Sequence, residues 1–125
     1  MLEIKDLKKC YEAMGGDYDG TLARFANNEA LMKKFSLRFL EDQSYQELCR
    51  AMAASDRDTA FRASHTLKGL CLNLGFTPLA KASSELCEAL RPGTFSEDDL
   101  SEVQRLFALI HPEYDRTASA LQAAQ

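Results

Sequence analysis

The sequence predicts an all-α protein, an antiparallel four-helix bundle with additional short helical segments at its N-terminus. Apolar residues recur at intervals of three and four through almost the whole chain, and no stretch alternates in the manner of a β-strand. Capping residues, glycines and prolines interrupt this pattern at short intervals. Helices that are joined by short connections favour antiparallel neighbours in a bundle.

The first predicted helix ends at a pair of glycines. Its apolar residues are spaced at i, i+3, i+7 and i+10 and are Ile4, Leu7, Tyr11 and Met14. Gly15-Gly16 stops this helix. A short turn that contains Leu22 and Phe25 then leads to Asn27-Asn28, which can cap the next helix. The helical pattern continues, with a break near Asp42 to Ser44, through Leu31, Met32, Phe35, Phe39, Leu40, Tyr45, Leu48, Cys49 and Met52.

A long helix follows, for which either Ser55 or Asp56 can be the cap. We expect this helix to run to about Asn73 or Leu74, because Gly75 comes next and glycine is the usual residue just beyond a helix end. The sequence therefore predicts one unbroken helix of about five turns in the middle of the chain.

Two more helices complete the predicted bundle. Thr77 is expected to cap the first of them, with Pro78 as its first helical residue, and Arg91-Pro92-Gly93 ends it. Ser96, followed by three acidic residues, begins the last helix, in which Pro112 should produce a kink or a restart. The apolar stripes of the two helices are Leu79, Ala82, Ser83, Leu86 and Leu90, and Leu100, Val103, Phe107, Ile110, Tyr114 and Leu121.

The composition excludes several classes of protein. The chain has 125 residues, and we expect residues 1–125 to form a single domain with one core. Its net charge is −4 and no basic cluster is longer than a Lys-Lys pair, which argues against a nucleic-acid partner. No apolar run approaches the roughly 20 residues needed to span a bilayer, and the N-terminus lacks the apolar core of a signal peptide. We therefore predict a cytoplasmic protein without a membrane partner.

Four widely spaced cysteines, Cys10, Cys49, Cys71 and Cys87, contain no CxxC pair. Each lies on or beside the apolar stripe of a predicted helix, where a free cysteine behaves as a small hydrophobic residue. A metal site that combines some of them with His65 and His111 matches no known zinc spacing. We expect buried free thiols and no metal site.

The helix from Ala60 to Leu74 places one histidine away from the core. At about 100° per residue, an arc that should face the core gathers Ala60, Ala63, Ser64, Leu67, Leu70, Cys71 and Leu74. His65 lies outside this arc, on a flank with Phe61, Lys68, Gly69 and Leu72. Two large apolar residues on an outer flank, one turn before the histidine and two turns after it, predict an apolar docking surface.

The same flank has residues suited to phosphoryl transfer. Neutral imidazole, with a reference pKa near 6.5, is a nucleophile at cellular pH without help from a base. Lys68, one turn beyond His65, can place its ammonium group beside phosphoryl oxygens. Gly69 removes a side chain that would crowd a partner, although glycine inside a helix costs about 1 kcal/mol relative to alanine. Together these three residues favour a phosphoacceptor site over an ordinary solvated surface.

The run His65-Thr66-Leu67-Lys68-Gly69, followed by Leu74-Gly75, resembles the HxLKG…G signature of bacterial histidine phosphotransfer (Hpt) domains, and the resemblance extends over nearly the whole chain. It implies that His65 is the phosphoacceptor of a two-component phosphorelay, that Lys68 is a charge partner for the phosphoryl group and that Gly69 leaves room for the partner.

The resemblance also implies the partners. These are response-regulator receiver domains, with a hybrid sensor kinase as a further candidate, and the receiver supplies the aspartate, the magnesium ion and most of the catalytic machinery. The chain is then a phosphoryl carrier without a cofactor of its own, and not an enzyme.

Two positions depart from the family pattern. Ser64 stands where the family often has alanine, a change between small residues that should matter little. Cys87, twenty-two residues beyond His65, stands where family members often have glutamate or glutamine hydrogen-bonded to the second ring nitrogen of the phosphoacceptor. Because cysteine is a weak hydrogen-bonding partner, Ser84 or Glu88 could orient the ring instead. The predicted partner-binding residues are Phe61, Leu72, Ser84 and Cys87.

An alternative function is a helical adaptor that binds a receiver or a kinase without being phosphorylated. The change at Cys87 favours the adaptor, whereas the presence of both His65 and Lys68 favours the carrier. An enzyme that uses His65 as a general base would need a second catalytic group, which the motif lacks. We expect His111, before Pro112, to be a surface or helix-end histidine.

Overall fold

The computed structural model describes residues 6–93 and 99–125, and throughout these ranges the regular structure is helical. The elements in chain order are α1 (Leu7–Met14), α2 (Tyr18–Arg24), α3 (Glu29–Arg38), a 3₁₀ turn (Phe39–Glu41), α4 (Ser44–Ala53), α5 (Arg57–Leu74), α6 (Thr77–Leu90) and α7 (Leu100–Ala123). The all-α prediction is confirmed. The predicted roles of Ile4 and of Ser96 lie outside the described residues.

Helices α4 to α7 form the bundle. Helix α5 packs between α4 and α6, α6 packs on α7, and α1 covers another part of α7. Tyr45 of α4 stacks on Tyr114 of α7 with ring centroids 3.9 Å apart, so the first and last helices of the bundle are also in contact. The largest fully buried side chains include Tyr11, Met14, Met32, Leu48, Leu67, Phe76, Leu79, Leu86, Ile110 and Leu121.

Local capping signals explain where several helices begin and end. Asp6 accepts a hydrogen bond from the backbone N–H of Lys8 at the start of α1, and Gly15 ends that helix in the left-handed conformation, with φ of 74°. Asn28 caps α3 in the same way, as predicted. Of the two candidates for α5, Asp56 is the cap, since its side chain accepts from the N–H of Thr59 at 3.2 Å.

The segment before α3 was predicted as a turn, and this is wrong, because residues 18–24 form helix α2. Asp17 caps this helix by accepting a hydrogen bond from the N–H of Gly20 at 3.0 Å. Tyr18 and Leu22 pack against the core. A helix of seven residues contains few apolar positions, so its periodic pattern is weak in the sequence. Such a short helix is not stable by itself, and its packing on the core stabilises it.

Two boundary predictions in the second half of the chain are also wrong. Thr77 is the first residue of α6 rather than its cap, and Phe76 occupies the cap position with its side chain fully buried. Helix α7 continues through Pro112, so of the two outcomes predicted for this residue, a kink or a restart, the restart is wrong. The lost hydrogen bond of a proline costs about 3 kcal/mol inside a helix, and the buried residues on both sides of Pro112, such as Ile110 and Thr117, offset it.

The N-terminal helices complete the end of α5. The last carbonyls of a helix have no partner within it, and at α5 these are the carbonyls of residues 72–75. Tyr11 donates its hydroxyl proton to the carbonyl of residue 74 at 2.6 Å, and the N–H of Asp17 donates to that of residue 75 at 2.8 Å. Arg24 Nη2 donates to the carbonyls of residues 72 and 73 at 3.1 and 3.3 Å. The segment before the bundle therefore stabilises the helix that carries His65.

Across the described ranges, none of the helices combines the length and the apolar character needed to cross a membrane.

Candidate functional site

His65 lies near the middle of α5, and its side chain is exposed. On the opposite side of the helix, six of the seven residues of the predicted core arc are buried, and the seventh, Leu70, is half-buried. The predicted orientation of α5 is therefore confirmed. It follows from the helical repeat alone, because a residue outside the apolar arc of a bundle helix faces solvent.

Cys87 lies beneath the imidazole of His65. Its Sγ is 3.9 Å from His65 Nδ1, and its side chain is fully buried in α6. Thiols form weak hydrogen bonds, and this distance is long even for sulfur. Because Nδ1 faces the buried thiol, Nε2 on the other side of the ring is turned away from the protein. Of the residues considered for orienting the ring, the structure places Cys87 against it.

The same burial corrects one prediction. Cys87 was included among the partner-binding residues, but its side chain has no exposed surface that a partner could contact. Glu88, the neighbouring candidate, makes an ion pair with Arg91, with Oε1 and Nη2 2.7 Å apart. The Glu88 carboxylate is therefore held by Arg91.

Phe61 and Arg91 extend the site on the N-terminal side of His65. The rings of Phe61 and His65 are roughly parallel, with centroids 6.3 Å apart. The guanidinium carbon of Arg91 lies 5.5 Å from the centroid of Phe61, within the range of a cation–π contact. The hydrogen bonds from Arg91 hold the pKa of the Glu88 carboxyl below its usual value, and the charge of Lys68 acts in the same direction.

Arg91 is a site residue that the sequence interpretation missed. Arg91 was assigned only to the end of α6. Its i, i+3 spacing from Glu88 was visible as a possible ion pair, but an exposed pair at this spacing is common on helices. Only the packing of α6 against α5 brings the guanidinium over Phe61.

Lys68 and Gly69 follow His65 on α5. Lys68, one turn beyond His65, is half-buried. Among the described residues, a Cβ placed on Gly69 would meet no atom of another part of the protein within 4 Å. Packing within residues 6–93 and 99–125 therefore does not require glycine at this position, and a helix interior disfavours it.

Leu72 and Ser84 line a shared groove between α5 and α6. The groove has a volume of about 440 Å³, and Arg24, Lys81 and Glu85 also line it. Leu72 is the more accessible of the two, with 54% of its surface exposed, whereas Ser84 is half-buried. The structure thus brings together these two predicted partner-binding residues.

The second histidine has a different environment. His111 is exposed within α7, rather than at a helix end, and its Nδ1 is 2.7 Å from the hydroxyl of Tyr45. Its near neighbours along the helix include no lysine. The cysteines are free, and Cys10, Cys71 and Cys87 are buried as predicted while Cys49 is half-buried. In residues 6–93 and 99–125, no group of three or more histidine, cysteine or acidic side chains could hold a metal ion.

An exposed histidine on a bundle helix, with a lysine one turn beyond it, is the arrangement expected of a histidine phosphotransfer module. The family model described as the Hpt domain matches residues 40–124, and the chain belongs to the Hpt domain family. The resemblance found in the HxLKG motif is thereby confirmed. Hpt domains act in two-component phosphotransfer as phosphocarriers and interact with response-regulator receiver domains. No curated protein and no solved structure gives a significant match to the chain.

The match begins at Leu40, within the 3₁₀ turn, and includes the whole of α4 to α7. Helices α1 to α3 precede it. Whether residues 1–125 act as one domain stays a prediction, as does the cytoplasmic location.

Proposed function

We propose that His65 accepts a phosphoryl group from the aspartate of one receiver domain and donates it to the aspartate of another. The observation that carries this proposal is the orientation of the imidazole. Its Nδ1 faces the buried Sγ of Cys87 at 3.9 Å, and its Nε2 is directed outward from an exposed position on α5. An imidazole held in this way presents one nucleophilic nitrogen in a defined direction.

The reaction requires the tautomer that carries its proton on Nδ1, so that the lone pair of Nε2 is available. Nε2 attacks the phosphorus of the aspartyl phosphate, an N–P bond forms, and the bond between phosphorus and the aspartate oxygen breaks. The bonding electrons leave with the carboxylate, and the Nδ1 proton stays in place. The positive charge of the phosphorylated ring is offset by the phosphoryl group, and the reverse sequence of bond changes delivers the group to the next receiver.

Charged groups around His65 support this chemistry. Lys68 is one turn away from His65, and Arg91, in its ion pair with Glu88, lies over Phe61, whose ring is next to that of His65. Cations that are already in position stabilise the charge on transferred phosphoryl oxygens without further reorganisation. We propose that the receiver contributes the magnesium ion as well as the aspartate, and that this chain contributes the nucleophile and its orientation.

The docking surface in this proposal consists of Phe61, Leu72 and Ser84, with Gly69 between them as the point of closest approach. Leu72 is exposed and Phe61 is half-buried, so both provide apolar area on the two sides of His65, and the missing side chain at Gly69 leaves open space above the helix. A hybrid sensor kinase would reach the same surface through its own receiver domain.

The test is transfer of label from a phosphorylated receiver domain in the presence of magnesium. Wild-type protein should become labelled, and His65→Gln should not. His111→Gln is the matched control, because His111 is also an exposed helical histidine with an occupied Nδ1. This variant should be labelled as the wild type is. The label should be lost in acid and kept in base, since phosphohistidine is acid-labile.

Two results would contradict the proposal. Labelling that survives in His65→Gln would place the acceptor elsewhere. A wild-type chain that binds receivers but is never labelled would identify the protein as an adaptor.

A further inference from the structure

A second groove lies between α3 and α5, away from His65. Its volume is about 550 Å³, and its apolar lining consists of Phe25, Phe35, Phe39, Leu70 and Leu74. Leu70 follows His65 by five residues, which is about 140° around the helix axis. The groove is therefore separate from the phosphotransfer site, and no step of the proposed function uses it.

Apolar and aromatic side chains are exposed on α3, the helix that forms one side of this groove. Leu31 and Phe35, one turn apart on α3, expose 39% and 37% of their surfaces. Phe35 stacks on Phe25 with centroids 5.8 Å apart, and the guanidinium carbon of Arg38 lies 5.2 Å from the centroid of Phe35. Aromatic residues and arginine are the types most enriched at the centres of protein interfaces.

The rim of the groove carries charges of both signs. Arg38, at the end of α3, contributes a cation, and Glu41 and Asp42, one turn later, contribute two carboxylates. Such a surface is complementary to itself. When two copies are related by a two-fold axis, the arginine of each can face the carboxylates of the other. An anionic lipid surface fits this groove less well, because the two carboxylates would repel its headgroups and because a flat bilayer does not fill a concave groove.

We propose that this groove is a self-association surface, at which two copies of the chain dock face to face. The exposed part of Phe35 of each copy packs over the groove of the other, and Arg38 of each pairs with Glu41 of the other. The contact leaves His65 of both copies exposed, because it uses the other side of α5. Helix α3 precedes the segment matched by the Hpt model, so one side of the groove comes from outside that segment and the other side, on α5, from within it.

Sedimentation velocity over a range of protein concentrations tests the proposal. The wild type should pass from monomer to dimer as its concentration rises, and Phe35→Glu should stay monomeric. Leu109→Glu is the matched control, since Leu109 is an exposed leucine on α7 that does not line the groove. This variant should dimerise as the wild type does. Circular dichroism checks that each variant is folded.

Exchange of the two charges gives a sharper test. Arg38→Glu and Glu41→Arg should each raise the dimer dissociation constant by about tenfold or more, since each places like charges opposite one another. An equimolar mixture of the two variants should associate again, because every pair across the contact then has opposite signs. Asp42 is left unchanged, since it accepts a hydrogen bond from the N–H of Ser44 at the start of α4.

Three results would overturn the proposal. These are a wild type that is monomeric at every concentration, a Phe35→Glu variant that dimerises normally, and a monomer that binds vesicles of anionic phospholipid through α3. Phosphoryl transfer to Phe35→Glu should match the wild type in each case, so loss of self-association is distinguishable from failure of the proposed carrier function.

Discussion

At the scale of single residues, a buried thiol lies where the family pattern often has a longer polar side chain. Sulfur accepts and donates hydrogen bonds weakly, and the 3.9 Å contact between Cys87 Sγ and His65 Nδ1 is correspondingly long. The orientation of the His65 ring therefore depends on the weak contact with Cys87 together with the roughly parallel ring of Phe61.

We predict that Cys87→Ala slows phosphoryl transfer about fivefold, which corresponds to the loss of one weak hydrogen bond of about 1 kcal/mol. Cys71→Ala is the matched control, because Cys71 is a second fully buried cysteine, on α5 itself, and faces the core. Both variants should lose about 1 kcal/mol of stability through the missing sulfur. Single-turnover transfer and urea unfolding measure the two effects, and equal transfer rates in the two variants would show that the thiol does not orient the ring.

Gly69 gives a prediction in which stability and function change in opposite directions. Gly69→Ala should stabilise the fold by up to about 1 kcal/mol, because alanine is the better helix former and its Cβ meets nothing within 4 Å. The same methyl group should slow transfer from a receiver domain by obstructing its approach to His65. Phosphoramidate, a small phosphodonor, should label both proteins equally. If the variant is more stable and accepts the phosphoryl group from receivers as fast as the wild type does, Gly69 is not part of the docking surface.

At the scale of elements, the N-terminal helices support the end of α5. Tyr11 is fully buried, and its hydroxyl group donates to the carbonyl of Leu74 while it accepts a proton from Ser36 at 2.8 Å. One hydroxyl thus joins α1, α3 and the last turn of α5. Removal of such a group leaves two buried polar partners unsatisfied, which costs more than the hydrogen bonds themselves contribute.

We therefore expect Tyr11→Phe to lower the free energy of unfolding by about 1–3 kcal/mol. Tyr18→Phe is the control, because the hydroxyl of Tyr18 donates to Glu29 at an exposed position where water can replace it. The control should cost less than about 1 kcal/mol. Amide hydrogen exchange should accelerate at the end of α5 in Tyr11→Phe only. If the two variants lose the same free energy of unfolding, the buried hydrogen bonds of Tyr11 contribute no more to stability than the exposed one of Tyr18.

At the scale of the whole molecule, buried groups that ionise in alkali limit the pH range of the fold. Burial raises the pKa of Tyr11 from 10.0 to about 12 and that of Cys10 from 9.0 to about 11, and it also raises the pKa of Cys71. A raised pKa in the folded state means that the unfolded chain loses its proton first. The stability that these groups contribute is complete below pH 9 and is lost as the pH rises through their folded values.

We predict that the urea midpoint is constant from pH 7 to about pH 9 and then falls up to about pH 12. A rise from 10.0 to about 12 for Tyr11 corresponds to about 3 kcal/mol, a substantial part of the stability of a small domain. Tyr11→Phe should make the fall above pH 10 less steep, because the contribution of Tyr11 is removed while those of Cys10 and Cys71 remain. A midpoint that stays constant up to pH 12 would contradict this account.

The sequence by itself determined the features that depend on neighbours within a few turns. Helical periodicity and capping residues established the fold class, the end of α1 before Gly15 and the bounds of α5 to within about a residue. The angle of 100° per residue placed His65 outside the core arc, and the local motif around it was enough to indicate the family. Such features could be predicted because helix geometry is the same in every protein.

The tertiary structure alone decided which residues from different helices meet. Cys87 lies against His65, and Arg91 lies over Phe61, because of how α6 packs on α5. Residues 18–24 form helix α2 rather than a turn, and α7 does not restart at Pro112, since in both places the packing of the core outweighs a local preference. Contacts of this kind depend on the distances between helix axes and on the reach of particular side chains. Neither quantity is a property of any one segment, so the spacing of residues along the chain does not contain them.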